Sequence, residues 1–459
     1  MNESPHLVPP RCEGRTRGLG RWPGALAPRF FLALAAGLVW LGPAWWDSRF
    51  GFLMVAWDAL LPILWWIDWT RLPRPQQLLV VRAWSEPASL GVSSTINLEI
   101  RSEGQIEISA RVEDEVPASL RQEPASGNVV VSPRGAARAA YEIRPKERGE
   151  VRMGRVFVRY RSQLQFAERR AVADLAQIVC VYPNLVEARR LKLYLLRSRQ
   201  IELEKRLQHR VGRGREFESL REYRDGDELR DICWTATARR AKLATKVYRP
   251  ERSQLVWLVL DAGRLMRARV GEITKLDHAV TAGLGLAQVA MAGGDAVGLL
   301  AYGRKVQAQL QPARGSGQLR TILDRLALVR GEPVEADHAR AADLLLRSLK
   351  RRSLVIWLTD LAETAATPEV IENAARLLPR HVVLFIALGQ PDLESFLARR
   401  PDTTLDMYRA VAGMELSERR QVLLGRLHEQ GALALEVMPS QLAIGLVNQY
   451  LRIKEESLL

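Results

Sequence analysis

Leu255-Val256-Trp257-Leu258-Val259-Leu260-Asp261 is an unbroken apolar run closed by an aspartate, the pattern of a parallel strand buried on both faces. Leu354-Val355-Ile356-Trp357-Leu358-Thr359-Asp360 repeats it, and His381-Val382-Val383-Leu384-Phe385-Ile386-Ala387-Leu388 supplies another such run. Between and around them, residues 274–293, 316–329, 338–350, 370–378 and 417–430 read as helices. Residues 295–302 and 434–437 read as strands, and 305–310 as an edge strand. Strand–helix alternation of this kind predicts an α/β doubly wound sheet over 253–459. Ligands of such sheets gather at the carboxyl ends of the strands, the edge at which both Asp261 and Asp360 stand.

Upstream, residues 184–252 are dense in charge. Within them Asp225-Gly226-Asp227 reads as a turn, since glycine tolerates positive φ and aspartate bonds nearby backbone. Arg221 and Arg224 are placed to pair with Asp227 or Asp231, and Trp234 is expected to anchor the loop to a core. Asp225, Asp227 and Asp231 lack the glutamate at the twelfth position that a Ca²⁺ loop requires. A salt-bridge hub is therefore the expected role.

The spaced set Gly214, Glu216, Phe217, Leu220, Arg221, Tyr223, Gly226, Asp227, Arg230, Ile232, Trp234, Ala238 and Arg239, followed by Val247, resembles the signature of domain-of-unknown-function family fifty-eight. These are bacterial proteins grouped with MoxR-type AAA+ ATPases. The resemblance takes in the N-terminal apolar segments and the C-terminal α/β part. It implies a MoxR-type AAA+ ATPase as partner. It also marks Glu216, Phe217, Arg221, Tyr223, Gly226, Asp227, Arg230, Trp234 and Arg239 as signature or partner-binding residues.

Residues 78–183 alternate polar and apolar side chains with period two, as in residues 95–100, 105–112 and 151–160. Turn signals at Ser126-Gly127-Asn128, Pro133-Arg134-Gly135 and Arg148-Gly149-Glu150 separate them, so a β-sandwich-like domain is expected. Two apolar stretches precede it within residues 30–69, about residues 30–46 and 50–67. Each is close to the ~17–20 residues needed to cross a bilayer. Trp40, Trp45, Trp46, Trp65, Trp66 and Trp69 crowd their ends, and Asp47-Ser48-Arg49 links them. Arginines flank both sides, including Arg11, Arg15, Arg17, Arg21 and Arg29 in the basic segment 1–29. The positive-inside rule then predicts a transmembrane helical hairpin with cytoplasmic ends. The expected location is the cell inner membrane, multi-pass, with the soluble domains in the cytoplasm. A signal peptide and a buried hairpin are the competing readings, and no convincing small-residue cleavage site favours the first.

The 459 residues suffice for two or three domains, and a 47% hydrophobic content allows a sizeable core. Lys plus Arg total 67 against 52 Asp plus Glu, a net charge of +15 that favours anionic partners. The basic run from Arg189 to Arg215 suits anionic lipid or an acidic protein face. No aromatic interleaving supports nucleic-acid binding. Cys12, Cys180 and Cys233 form neither a disulfide framework nor a zinc spacing.

The C-terminal part also resembles a von Willebrand factor A domain. In that family two aspartates flank a metal-ion-dependent adhesion site built from Asp-x-Ser-x-Ser and a distant Thr. Here the stretch is Asp261-Ala262-Gly263-Arg264-Leu265. Gly263 and Leu265 take the serine places without offering oxygen, and no Thr stands near Ala336-Asp337. Arg264 is expected to replace the cation by pairing with Asp261. No cofactor is expected, and a Mg²⁺ ion, were one bound, would rest on Asp261 and Asp360. The chain contains no G-x-x-x-x-G-K-[ST] loop, Gly-x-Ser-x-Gly elbow or His-Glu-x-x-His helix. A membrane-anchored, non-enzymatic scaffold or co-chaperone for complex assembly is the expected function. The alternatives are a regulatory or metal-dependent adhesion protein using the Asp261/Asp360 edge, and a membrane-bound hydrolase with an unrecognised site.

Overall fold

The computed structural model describes residues 8–19, 24–47, 49–188, 216–223, 232–240, 242–249, 254–360, 372–373 and 375–456. The chain divides into two compact units, Met1–Tyr182 and Pro183–Leu459.

In the first unit the basic N-terminal segment forms β1 (Cys12–Arg15), β2 (Arg17–Gly18) and β3 (Gly24–Leu26). Its described strands pair into the β framework of this unit. Then come α1 (Pro28–Gly37), α2 (Leu41–Ala44) and α3 (Arg49–Arg71). Among the described residues one helix, Arg49–Gln77, is long and apolar enough to cross a membrane, and Pro28–Ala44 is a shorter apolar helix. The two touch: Trp57 Nε1 donates to Ala33 O at 2.9 Å. Gly37 permits the approach, since a Cβ there would lie 2.8 Å from Trp57 and 3.0 Å from Asp58 Oδ1. Asp58 therefore faces the shorter helix.

Nine strands follow: β4 (Leu78–Trp84), β5 (Ser94–Ser102), β6 (Ile108–Asp114), β7 (Ala125–Val131), β8 (Ala136–Ile143), β9 (Gly149–Met153), β10 (Val156–Ser162), β11 (Ala167–Ala173) and β12 (Gln177–Val181). One sheet has the order β1-β4-β5-β8 and the other β2-β11-β10-β6-β7, with β3 also on β11 and β9 paired with β12. Their alternating inward residues, among them Val80, Ile96, Leu98, Val112, Val158 and Tyr160, form one core. Arg82 is buried in it, bonded to Asp114 through Nε at 2.9 Å, and Tyr141 donates to the same carboxylate at 2.6 Å. At the foot of α3, Asp68 accepts from the amides of Phe166 (3.0 Å) and Ala167 (2.8 Å), which ties the long helix to the sheet.

Two expectations change here. Ser126-Gly127-Asn128 is not a turn but lies inside β7, where a Cβ at Gly127 would sit 3.0 Å from that of Ala139. The expected strand over 151–160 is two strands, broken at Gly154-Arg155. There Gly154 N donates to Glu115 O, and Glu115 N to Arg155 O.

The second unit opens with β13 (Glu216–Glu222), α4 (Trp234–Arg240) and β14 (Ala244–Arg249), β13 and β14 forming an antiparallel pair. After it come β15 (Leu255–Asp261), the short β16 (Arg269–Val270) and β17 (Ile273–Thr274), α5 (Lys275–Ala292), β18 (Ala296–Tyr302) and β19 (Val306–Ala313). The chain continues through α6 (Ser316–Leu328), α7 (His338–Ser348), β20 (Leu354–Thr359) and β21 (Val382–Leu388). It ends with α8 (Pro391–Leu397), α9 (Thr404–Glu429), β22 (Leu433–Val437) and α10 (Leu442–Glu455). The sheet order is β19-β18-β15-β20-β21-β22. All neighbours are parallel except the edge pair β18–β19, so the sheet is mixed. The apolar runs behave as their composition requires: β18 and β20 are buried at every position. The long helix α9 starts at Thr403, whose side chain caps Asp406 N, well before the expected residue 417. Of the expected helix 370–378, residues 372–373 and 375–377 are helical, and 370, 371 and 374 lie outside the described residues.

Candidate functional site

Asp261 and Asp360 end adjacent parallel strands or the residue just past them, so the fold brings both to the carboxyl rim, and both are buried. Asp261 Oδ1 accepts from Gly263 N at 2.7 Å and Oδ2 from the Thr359 hydroxyl at 2.7 Å. Burial pushes the Asp261 carboxyl up, against the pull of His338 and these two hydrogen bonds. Asp360 Oδ2 accepts from Lys275 Nζ at 2.7 Å, and its Oδ1 from Arg420.

Neither cation comes from the expected place. Lys275 is the first residue of α5, between the members of the capping pair Thr274 and Asp277. A cation there opposes the helix macrodipole, and the charge of Asp360 offsets this. Burial depresses the Lys275 ammonium, and Asp360 works the other way. Arg420 comes from the buried face of α9. It also donates to Leu388 O at 2.7 Å and lies 3.2 Å from Glu436 on β22. Arg264, expected on Asp261, is half-exposed and pairs with Glu335 at 3.5 Å. The short helical turn that begins at Gly263 carries its side chain away from the carboxylate.

The donor set does not fit a divalent cation. Every carboxylate oxygen of Asp261 and Asp360 already meets an N–H or O–H donor, whereas Mg²⁺ demands a near-octahedral shell of oxygens. A side chain at position 263 would place its Cβ 2.8 Å from Ala336 N and 3.1 Å from Asp261 Oδ1, so a serine hydroxyl has no room there. Among the described residues no group of three or more His, Cys, Asp or Glu is arranged to hold a metal.

Beneath the rim lies a buried aromatic network. Tyr302 Oη accepts from Trp357 Nε1 at 2.7 Å and shares a 2.8 Å hydrogen bond with His338 Nδ1. Trp357 stacks on Phe385 at 5.3 Å. Burial holds the Tyr302 hydroxyl well above its ordinary pKa, so it stays protonated. Sequence reasoning missed Lys275, Arg420, Thr359, Tyr302 and His338. Arg420 carried a faint signal, falling in helical phase with the buried Gly413, Leu423 and Leu427.

The signature residues are partly described. Glu216 and Phe217 sit on β13 opposite Arg249 and Tyr248, and Arg221 stands opposite Thr245. Tyr223 follows the strand, its amide donating to Leu243 O at 2.9 Å. Trp234 begins α4 and is 67% exposed, so it does not anchor the loop to a core. Arg239 is exposed on the same short helix. Gly226, Asp227 and Arg230, with the salt-bridge hub expected around them and the basic run 189–215, lie outside the described residues.

Fold and rim together define a multidomain protein: a sheet-rich unit carrying an apolar helix, followed by a mixed-sheet α/β unit. Residues 219–397 match the family described as "Protein of unknown function DUF58". Uncharacterized proteins of Mycobacterium bovis and Mycobacterium tuberculosis are each 28% identical to this chain over 185 residues, 38% of its length. The match spans 58% of the length of those relatives. Among solved structures, the conserved hypothetical protein BatB of Bacteroides thetaiotaomicron is similar over 44% of this chain and 99% of its own, at 16% identity and a TM-score of 0.32. The PilB minor pilin of Streptococcus sanguinis is similar over 75% of this chain and 88% of its own, at 8% identity and a TM-score of 0.34.

Proposed function

We propose that the chain is a membrane-anchored, non-catalytic scaffold or co-chaperone. Its C-terminal unit, a von Willebrand factor A-like domain, grips another protein at its carboxyl rim without a divalent cation. The observation that carries the reading is the closed rim, with Lys275 and Arg420 on Asp360, and Thr359 and Gly263 N on Asp261. Charges satisfied internally hold the strand ends in place and leave no open ligand position for chemistry.

The anchor is a helical hairpin of residues 30–69 with both ends in the cytoplasm, inserted in the cell inner membrane. The exposed apolar side chains of both helices, including Leu32, Val39, Phe52, Val55, Ile63 and Trp66, support it. The partner is a MoxR-type AAA+ ATPase, which supplies the ATP turnover in assembling protein complexes.

Crosslinked co-purification of the full chain from its native membranes, with and without ATP and in the presence of chelator, tests this reading. An AAA+ ATPase is expected in the crosslinked fraction, undiminished by chelator. Recovery of none under any condition overturns the partnership, and ATP-independent capture that chelator abolishes overturns the metal-free rim.

A further inference from the structure

In the first unit, β6, β10 and β11 are neighbours, and their register sets Arg111 opposite Arg159 and Arg159 opposite Arg170. Side chains directly opposite one another share a face, so one row across three strands carries three arginines. Like charges at directly opposed positions destabilise a sheet. The next row sets Arg161 opposite Glu168. That carboxylate is buried and receives three arginines: Arg159 at 3.0 Å, Arg161 at 2.7 Å and Arg170 at 3.2 Å. Three guanidiniums carry about fifteen N–H donors, and one carboxylate offers about four acceptor positions. The cluster keeps a net charge of about +2 and ample donor capacity for a second anion.

These arginines form one wall of an open cleft of about 520 Å³. The other wall is apolar: Leu26, Pro28, Phe31 and Leu32, from the end of β3 and the first turns of α1. Phe31 and Leu32 are 54% and 68% exposed. Arg29 fixes the helix start to the β10–β11 turn by donating to Gln163 O at 3.3 Å. A cleft with guanidiniums on one side and aliphatic surface on the other matches an amphiphilic anion.

We infer that this cleft binds the phosphate headgroup of an anionic glycerophospholipid, its acyl chains lying along Phe31 and Leu32. The inference rests on the proposed anchor, which sets the first turn of α1 at headgroup depth. Planar guanidiniums take phosphate oxygens two at a time, and the added negative charge relieves the repulsion within the arginine row.

The full chain in detergent, titrated with dioleoylphosphatidylglycerol or dioleoylphosphatidylcholine and read by native mass spectrometry, tests the site. Selective retention of the phosphatidylglycerol is expected. R159Q/R170Q should weaken it by about thirtyfold, near fivefold for each charge removed at a membrane surface. R159K/R170K should recover only part of the loss, since an ammonium restores the charge but not the two-point hydrogen bonding. L32S should weaken the lipid and leave glycerol 3-phosphate unaffected. Equal retention of both lipids, or no change in R159Q/R170Q, overturns the site. Glycerol 3-phosphate or a short RNA binding as tightly as the lipid overturns the lipid assignment. Flotation with phosphatidylcholine vesicles separates the two readings. A chain that floats with no headgroup selectivity keeps its anchor and loses this site, and one that does not float loses both.

Discussion

Lys275 Nζ lies 2.7 Å from Asp360 Oδ2, with both side chains sealed from solvent. This contact joins the first residue of a helix to the end of a parallel strand 85 positions away. It gives the rim an internal cation at the carboxylate where a divalent ion was the sequence-based alternative.

Replacing that cation should be costly. Lys275→Met leaves Asp360 with Arg420 alone, and breaking a buried pair costs about 3–5 kcal/mol. In a chain of several units, hydrogen exchange of the β15 and β20 amides reads the local loss. Adding Asp360→Asn should restore part of it, because the uncompensated charge is then gone. A loss under about 1 kcal/mol in the single variant would remove this pair from the account of the rim.

Rebuilding the adhesion-type serine should fail. Gly263→Ser presses its Cβ against Ala336 N at 2.8 Å, an overpacking worth about 1–3 kcal/mol of destabilisation. Calorimetry of the original chain and the variant with MgCl₂ should give no saturable heat. Micromolar magnesium uptake by either would reverse the reading of the site.

The aromatic network makes a separate prediction. Tyr302→Phe removes one hydroxyl and leaves both Trp357 Nε1 and His338 Nδ1 buried without their partner. Each unsatisfied group costs about 1–3 kcal/mol. The loss should appear as faster exchange in β18 and β20, with β4–β8 of the other unit unchanged.

Acid sensitivity should trace in part to His381. Burial lowers its pKa from 6.5, and Arg380 and Arg352 lower it further. Its Nδ1 is buried without a hydrogen-bond partner among the described residues. The unfolded chain then takes up a proton at a higher pH than the folded one. Stability is therefore retained above about pH 6.5 and falls as pH drops from there through the folded value. His381→Leu should flatten this decline in β21 exchange between neutral and mildly acidic pH. An unchanged slope would assign the acid response to other groups.

The α/β order of the second unit was legible from its residues alone. A strand buried on both faces must be apolar throughout, and a surface helix must repeat near 3.6, so both patterns are local in the chain. The same locality put Asp261 and Asp360 at the rim and marked the signature stretch. What fills the rim was not legible. Lys275 and Arg420 reach Asp360 across 85 and 60 positions, and Arg264, next but two to Asp261, turns away to Glu335. The break at Gly154 and the arginine row across β6, β10 and β11 likewise appear only once register is set. Burial preference belongs to each residue and its near neighbours, whereas the partner of a buried charge is chosen by distance in three dimensions, which only the packed chain decides.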